Sequence, residues 1–330
     1  MKFNCSSQFR RHKARTWVLG ATIIFFLFSP LRAWSWGCEG HQAVALIAEK
    51  HMTPHALEKA NELLQSEPID SSLSRYCPSQ GLDLMTDSST WADDLRSSRP
   101  EASPWHYIDI PRNAPRGSLA EFCPATGCVT SALTQQIELL RDEATEPHMR
   151  ADALRFVIHF VGDLHQPLHC VSNNDEGGNC VPIIFFGKAP MLKNEQFQAY
   201  APNLHSIWDT SIILRLKGTA TEAQWAGALD QKYSSSVSAW EKGGVHVEDW
   251  AWEGHALADS VVYPKLPVAI PVEKAMPVKS CADDNHVSTR MLKLHEQVSQ
   301  GYVDAVAPAV NEQLAKAGVR LAMVLNQIWP

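Results

Sequence analysis

Between Leu154 and His169 the chain reads L-R-F-V-I-H-F-V-G-D-L-H-Q-P-L-H. The spacing predicts a helix that Pro167 ends. Its flanking residues are apolar, so the segment belongs inside the protein. It nevertheless carries His159 and Asp163, four residues apart and on one helix face. Past Pro167 the chain can turn and bring His169 back to the same centre. Buried imidazoles and carboxylates need partners. The chain must therefore close a helical core around a polar centre.

A second H-x3-D follows at His205 and Asp209, with Asn203 placed as the N-cap. Helical periodicity recurs at Val44, Ile47, Ala48 and His51, at Leu133, Ile137 and Leu140, and at Val303, Val306, Val310 and Leu314. Extended alternation is scarce, and Val181 to Phe186 is the one convincing strand candidate. The connections 97–104, 111–127, 171–180, 187–203 and 262–284 are rich in Pro, Gly, Ser and Asn. The last holds Pro264, Pro267, Pro271 and Pro277 and cannot be helical throughout. With 45% hydrophobic and 20% charged residues in 330, the chain is too apolar for disorder. It shows no repeat and no composition shift. One mainly helical domain is expected.

Imidazole and carboxylate at helical spacing are what zinc takes when no thiolate is offered. One H-x3-D alone reads as an ordinary hydrogen-bonded pair. Two copies plus His169 favour a metal, because burying so many such groups without one is costly. A buried polar network bracing the helices is the competing explanation. Two further pairs add candidates: Asp93 three residues before Arg96, and His106 three before Asp109. Standing alone, they read as a surface ion pair and a hydrogen bond across a turn.

The first 35 residues contain six basic side chains and no acid. Trp17 to Phe28 is an apolar run of twelve residues, and Ala33-Trp34-Ser35 fits cleavage before Trp36. Residues 1–35 are thus expected to be a signal peptide, with a retained anchor as the alternative, and 36–330 the mature domain. No later segment is apolar enough to span a membrane, so no stable membrane association is expected after cleavage. A freed Trp36 α-amine, with a pKa near ~8, can chelate a metal together with its own carbonyl. His41 faces inward beside it. Removing the leader leaves 23 basic against 36 acidic residues, a formal charge of −13. A lysine-rich surface therefore cannot be what holds a polyphosphate.

Export favours disulfides. Cys5 leaves with the leader, so seven cysteines remain and at least one is free or pairs between chains. Cys123 with Cys128 and Cys170 with Cys180 each bracket a loop and are plausible local bridges.

These pieces resemble the zinc-dependent single-strand nucleases that also act as 3′-nucleotidases, the mung-bean-type and fungal extracellular enzymes and their bacterial relatives. The likeness rests on W-G-x2-G-H at Trp36–His41, W-A-D at Trp91–Asp93, W-H-Y-I-D at Trp105–Asp109 and H-F-V-G-D-L-H-Q-P-L-H at His159–His169. G-G-N at Gly177–Asn179 and N-L-H-S-I-W-D at Asn203–Asp209 follow in the family's order. The resemblance implies an all-α domain of the zinc phospholipase C/nuclease type, with at most a short β-hairpin.

It also implies three zinc ions. One would use Asp93, His106, His159 and Asp163. A second would use His169, His205 and Asp209, and a third Asp163, His41 and the amine and carbonyl of Trp36. His165 would not be a ligand but would orient a nearby carboxylate or carbonyl. The zinc ions would activate a water for attack on phosphorus, with Asp93 and Asp163 in the catalytic set and Arg96 offsetting charge. Tyr107 would stack a base, although core packing explains it equally well. Asp109 would accept hydrogen bonds from the base edge, and Asn179 would contact substrate. Cys123 and Cys128 match a family pair.

The expected substrates are single-stranded DNA and RNA and 3′-nucleotides, cut to leave 5′-phosphates by a periplasmic or secreted monomer. The rival readings are a zinc phospholipase C, which has a glutamate where this chain has Asp209, and an exported zinc-binding protein without turnover.

Overall fold

The computed structural model describes residues 1, 36–77, 81–196, 198–274, 280–283 and 297–330. The expected leader and its cleavage bond, apart from Trp36, lie outside the described residues. The helices in chain order are α1 (Cys38–His51), α2 (Pro54–Ser66), α3 (Leu84–Ser88), α4 (Trp91–Leu95), α5 (Val129–Arg141) and α6 (Pro147–Leu164). After them come α7 (Leu204–Ser206), α8 (Ile212–Lys217), α9 (Glu222–Tyr233), α10 (Val237–Lys242), α11 (Val247–Leu257) and α12 (Gln300–Ile328).

Local chemistry explains several boundaries. Thr53 caps α2 by accepting Ala56 N–H, with Pro54 in the first turn, where its missing N–H costs nothing. Thr221 and Gln224 close a reciprocal cap at the start of α9. Helix α6 begins at Pro147 and stops at His165, two residues before Pro167.

Every residue of α6 from Ala153 to Leu164 is buried. Helix α5 covers one side of it with Leu133, Ile137 and Leu140. Val303, Val306, Val310 and Leu314 lie on the buried face of α12, which packs against Val44, Ile47 and Ala48 of α1. His51, at the end of that α1 face, is half-buried and bonds Asp230 at 2.7 Å. Each large apolar side chain buried this way contributes about 1.5–3 kcal/mol against the entropy of ordering the chain.

Two short helical pieces are fastened to α6 by aromatic edges. The Trp91 ring meets Phe156 edge-on at 5.1 Å, and Trp105 meets the same ring at 5.8 Å. Such pairs add about 0.5–1.5 kcal/mol each beyond burial. They fix α4 and the 3₁₀ stretch Pro100–His106 over the helix that carries His159 and Asp163. From the far side, Arg75 Nε and Tyr76 N–H both donate to Asp94 at 2.6 Å.

The fold is all-α, as expected, with few strands. The expected strand Val181–Phe186 is shortened to β1 (Ile184–Phe185), which pairs in parallel with β4 (Gln297–Val298). Pro182 lacks the N–H that a longer ladder needs. Strands β2 (Met191–Asn194) and β3 (Ala199–Ala201) form an antiparallel hairpin inside 187–203, a span that composition alone reads as loop. Among the described residues no helix is long and apolar enough to cross a membrane.

Cys123 pairs with Cys128 as expected, but the Cys170–Cys180 bridge that the loop between them made plausible is absent. Cys180 reaches Cys281, 101 residues away, and Cys38 reaches Cys77. Cys170 is the free, buried thiol; its Sγ points at the Leu164 carbonyl, 3.5 Å away. Its short 3₁₀ turn packs on α11, which turns the thiol away from the loop that carries Cys180. Burial pushes that thiol's pKa upward.

Candidate metal centre

Helix α6 delivers His159 and Asp163, and the 3₁₀ turn Pro167–Cys170 delivers His169. Asn203 caps α7 by accepting Ser206 N–H, and the following π-turn, Ile207–Ser211, brings His205 and Asp209 to one side. Helix α4 contributes Asp93 and Arg96, the 3₁₀ stretch ends on His106, and the first turn of α1 supplies His41. All nine of these side chains are buried.

Apart from Arg96, they form three donor groups. In one, His106 Nδ1 lies 3.0 Å from Asp163 Oδ2 and 3.1 Å from His159 Nε2, with Asp93 oxygens 3.7–3.8 Å from the two rings. In the next, His41 Nε2 lies 3.4 Å from the other Asp163 oxygen, its ring stacked on His159 at 4.0 Å. Gly162 makes room for that ring, since a Cβ there would sit 2.7 Å from His41 Nδ1. In the third, His169 Nε2 and His205 Nε2 are 3.1 Å apart, and Asp209 Oδ2 is 3.4 Å from His205 Nε2.

Three of the rings are aimed by main-chain oxygens. His159, His169 and His205 direct Nδ1 at the carbonyls of Ser89, His106 and Gly177, at 2.7, 2.6 and 2.7 Å. A carbonyl only accepts, so each Nδ1 is assigned the proton, and Nε2 of the neutral ring presents a lone pair to the centre. Two such lone pairs 3.1 Å apart, at His169 and His205, repel unless a cation lies between them. Asp163 Oδ1 and Asp209 Oδ2 are buried and accept no hydrogen bond. Zinc with four ligands at about 2.0–2.1 Å sets them about 3.3 Å apart, close to these separations. The nitrogen and carboxylate donors therefore fit a divalent ion.

The protonation pattern agrees. Burial, together with charge on His159, lowers His41 to about 4, and burial lowers His106 to about 4 and His205 to about 3. His169 is lowered for the same reason. These four imidazoles stay neutral and can ligate without first losing a proton. His159 is the exception: despite burial, Asp163 and Asp93 raise it to about 9. Burial with Asp93 and Asp163 nearby pushes Asp209 well up, whereas His159 and three imidazole contacts hold Asp163 well down in spite of its burial.

Trp36 is fully buried, and the next residue's N–H donates to the Asp209 carbonyl at 2.6 Å. The expected mature terminus is thereby tied to the chain that carries Asp209.

The surface-pair reading of Asp93 and Arg96 is wrong. Both are buried, and Arg96 Nη1 donates to Asp93 Oδ1 at 3.4 Å. Nor does His106 bridge to Asp109. From 107 to 110 exposure alternates, so Tyr107 and Asp109 face outward while Ile108 and Ile110 face the core. Asp109 reaches solvent, yet the protein packed around it and the charges of Glu176 and Asp175 raise its carboxyl to about 7. Asn179 gives its amide N–H to the Glu176 carbonyl at 2.9 Å. His165 bonds a carbonyl, that of Val161, and on its other side Arg320, which is clamped by Glu253.

Two contributors escaped the sequence reading. Glu176 stands close enough to Asp109 to perturb it, in a stretch where Asn174, Glu176, Gly177 and Gly178 all have positive φ. A Cβ on Gly177 would strike the Leu168 carbonyl, so only glycine can present the residue 177 carbonyl to His205. Gln166 is the other; it touches Asp209, and its place inside the His159–His169 string was its only signal.

Helices enclosing three buried groups of imidazole and carboxylate have the makings of a divalent metal centre. The model of the S1/P1 Nuclease family matches residues 36–330, and the chain belongs to that zinc-dependent family of hydrolytic nucleases. It is 30% identical to Nuclease PA3 of a Penicillium species over 318 residues, covering 89% of this chain and 97% of that protein. Endonuclease 2 of Arabidopsis thaliana is 26% identical over 325 residues, covering 93% and 94%. Nuclease S1 of Aspergillus oryzae is 26% identical over 315 residues, covering 89% and 92%.

Proposed function

We propose that this protein is an exported endonuclease that cuts single-stranded DNA and RNA to 5′-phosphate products, removes 3′-phosphates from nucleotides, and carries three zinc ions. The observation that carries the reading is Asp163, whose two oxygens serve two histidine groups, beside a third group built on His169, His205 and Asp209. In this reading Asp93, His106, His159 and Asp163 hold one zinc. His169, His205 and Asp209 hold another. Asp163, His41 and the freed amine and carbonyl of Trp36 hold the last.

Bound zinc would supply Lewis acidity toward the phosphate and lower the pKa of a water to near neutrality. The protein's own groups do the rest. Arg96, anchored by Asp93, offsets the negative charge that grows on the phosphoryl oxygens. Tyr107, exposed beside His106, offers its ring to an unpaired base, and Asp109 on the same outward face meets the base edge. Stacking needs a base free of its partner, which accounts for a single-strand preference. In a body of formal charge −13, bound divalent ions would supply the positive charge for phosphate that lysines do not. Three disulfides support export to an oxidising compartment.

The test is release of acid-soluble nucleotides from single-stranded DNA and RNA by zinc-loaded protein beginning at Trp36, with metal content measured on the same sample. Three equivalents of zinc and cleavage of both polymers are expected. Intact substrates, or hydrolysis of phosphatidylcholine in their place, would overturn the reading.

A further inference from the structure

Gln166 occupies the gap between Asp163 and His169, and its side chain is fully buried. Its Oε1 accepts Leu168 N–H at 2.7 Å. Because that N–H can only donate, the contact settles which end of the amide is oxygen. Nε2 must then face the other way, and it donates to Asp209 Oδ1 at 2.7 Å. Leu168 lies in the 3₁₀ turn Pro167–Cys170, which Gln166 caps and which presents His169. One side chain therefore grips both the turn bearing His169 and the carboxylate of Asp209, across 43 residues of sequence.

The grip divides the labour of the Asp209 oxygens. Oδ1 is tied to the amide, while Oδ2 accepts no hydrogen bond and lies 3.4 Å from His205 Nε2. A carboxylate tied by one oxygen resists rotation, so Oδ2 stays turned to His205 while Oδ1, 4.0 Å from His169 Nε2, is shared with the amide. Apolar surroundings could not hold this pose: a free carboxylate rotates about its χ2 bond, and a buried amide left half-bonded is costly.

We propose that Gln166 is a positioning residue for a divalent cation held by His169, His205 and Asp209. It fixes the carboxylate with Oδ2 turned to His205 and keeps His169 within reach. The inference rests on the reading that this trio holds zinc. It predicts graded effects from three replacements. Glutamate keeps the acceptor for Leu168 but sets oxygen against oxygen at Asp209. Methionine keeps the volume and loses both bonds. Asparagine is one carbon too short to span both partners.

The experiment titrates zinc-loaded wild type, Gln166→Glu, Gln166→Met and His205→Ala with a chromophoric zinc chelator, and records thermal unfolding of each protein after complete stripping. Gln166→Glu is expected to surrender one equivalent at roughly 10–100-fold lower chelator concentration than wild type, with its other equivalents unmoved. Stripped Gln166→Glu should still unfold cooperatively, only a few degrees below stripped wild type, the effect of one lost buried hydrogen bond. If Gln166→Glu does not fold, Gln166→Met is to show the same selective loss. Retention of all equivalents at wild-type affinity overturns the proposal. So does a uniform loss of every equivalent with a lowered unfolding temperature, the mark of a purely structural role. The His205→Ala arm tests the underlying reading separately: if its zinc content equals that of wild type, the trio holds no ion and both ideas fall.

Discussion

Asp163 Oδ1 lies 3.4 Å from His41 Nε2, at the N-terminal end of α1, while Oδ2 of the same carboxylate lies 3.0 Å from His106 Nδ1. One side chain thus joins two donor groups that come from separate parts of the chain. Asp163→Asn leaves the volume unchanged but replaces one oxygen with a donor that cannot ligate. The variant should lose two equivalents of zinc and at least about 10²-fold in kcat, the cost of deleting one well-placed electrostatic contact. Elemental analysis beside a nuclease assay checks this, and a variant that keeps its full metal complement would contradict the bridging role.

The mature terminus gives a second test. Trp36 is fully buried and the following N–H is bonded to the Asp209 carbonyl, so the chain at Trp36 is held against the segment that carries Asp209. Protein beginning one residue before Trp36 should fold and retain two zinc ions while lacking the third. Full activity and three equivalents in that extended protein would rule out the terminal chelate.

Tyr107 should act on binding rather than on chemistry. Tyr107→Ala should raise KM for single-stranded oligonucleotides by an amount corresponding to about 1–3 kcal/mol per stacked base, with kcat and zinc content little changed. Tyr107→Phe should behave like wild type. A pure kcat defect in the alanine variant would move Tyr107 out of the base site.

A pH prediction comes from outside the centre. Burial, followed by the nearby Asp83 carboxylate, raises Glu49 from 4.5 to about 8. Asp83 is itself engaged as the cap of α3, accepting Thr86 N–H at 2.7 Å. Between pH 4.5 and 8 the unfolded chain ionises Glu49 while the folded one keeps its proton, so the unfolded state binds fewer protons and stability falls as pH rises. The contribution is whole below pH 4.5 and gone above about 8. Glu49→Gln removes this dependence. Its unfolding temperature relative to wild type should climb steadily from pH 5 to pH 8, and parallel curves would refute the assignment.

Helix α6 was legible because one short string encodes its burial, its ligands and its stop. The second H-x3-D was equally plain, since Asn203 marks where the helix begins. Asp93 and His106 were harder. Their burial depends on Trp91 and Trp105 docking on Phe156, contacts across 65 and 51 residues of sequence that local spacing does not carry. Cysteine pairing failed on the same ground: bridges 39 and 101 residues long belong to the folded topology, and bracketing a loop favours the wrong partner for Cys180. The π-turn that swings Asp209 under His205 leaves no periodic trace at all.

The carbonyls of Ser89, His106 and Gly177 that aim three imidazoles belong to the main chain, so their direction is set by the path of the backbone and not by a donor or acceptor of the side chain. At Ser89 a substitution scan reads the burial of the side chain and its bond to the Thr86 carbonyl, not the aim of the Ser89 carbonyl. Inserting or deleting a single residue beside it, by contrast, would rotate the carbonyl and misdirect His159. The tolerance of these loops to changes in length, more than to changes in composition, is therefore what limits how far such a centre can drift while keeping its ions.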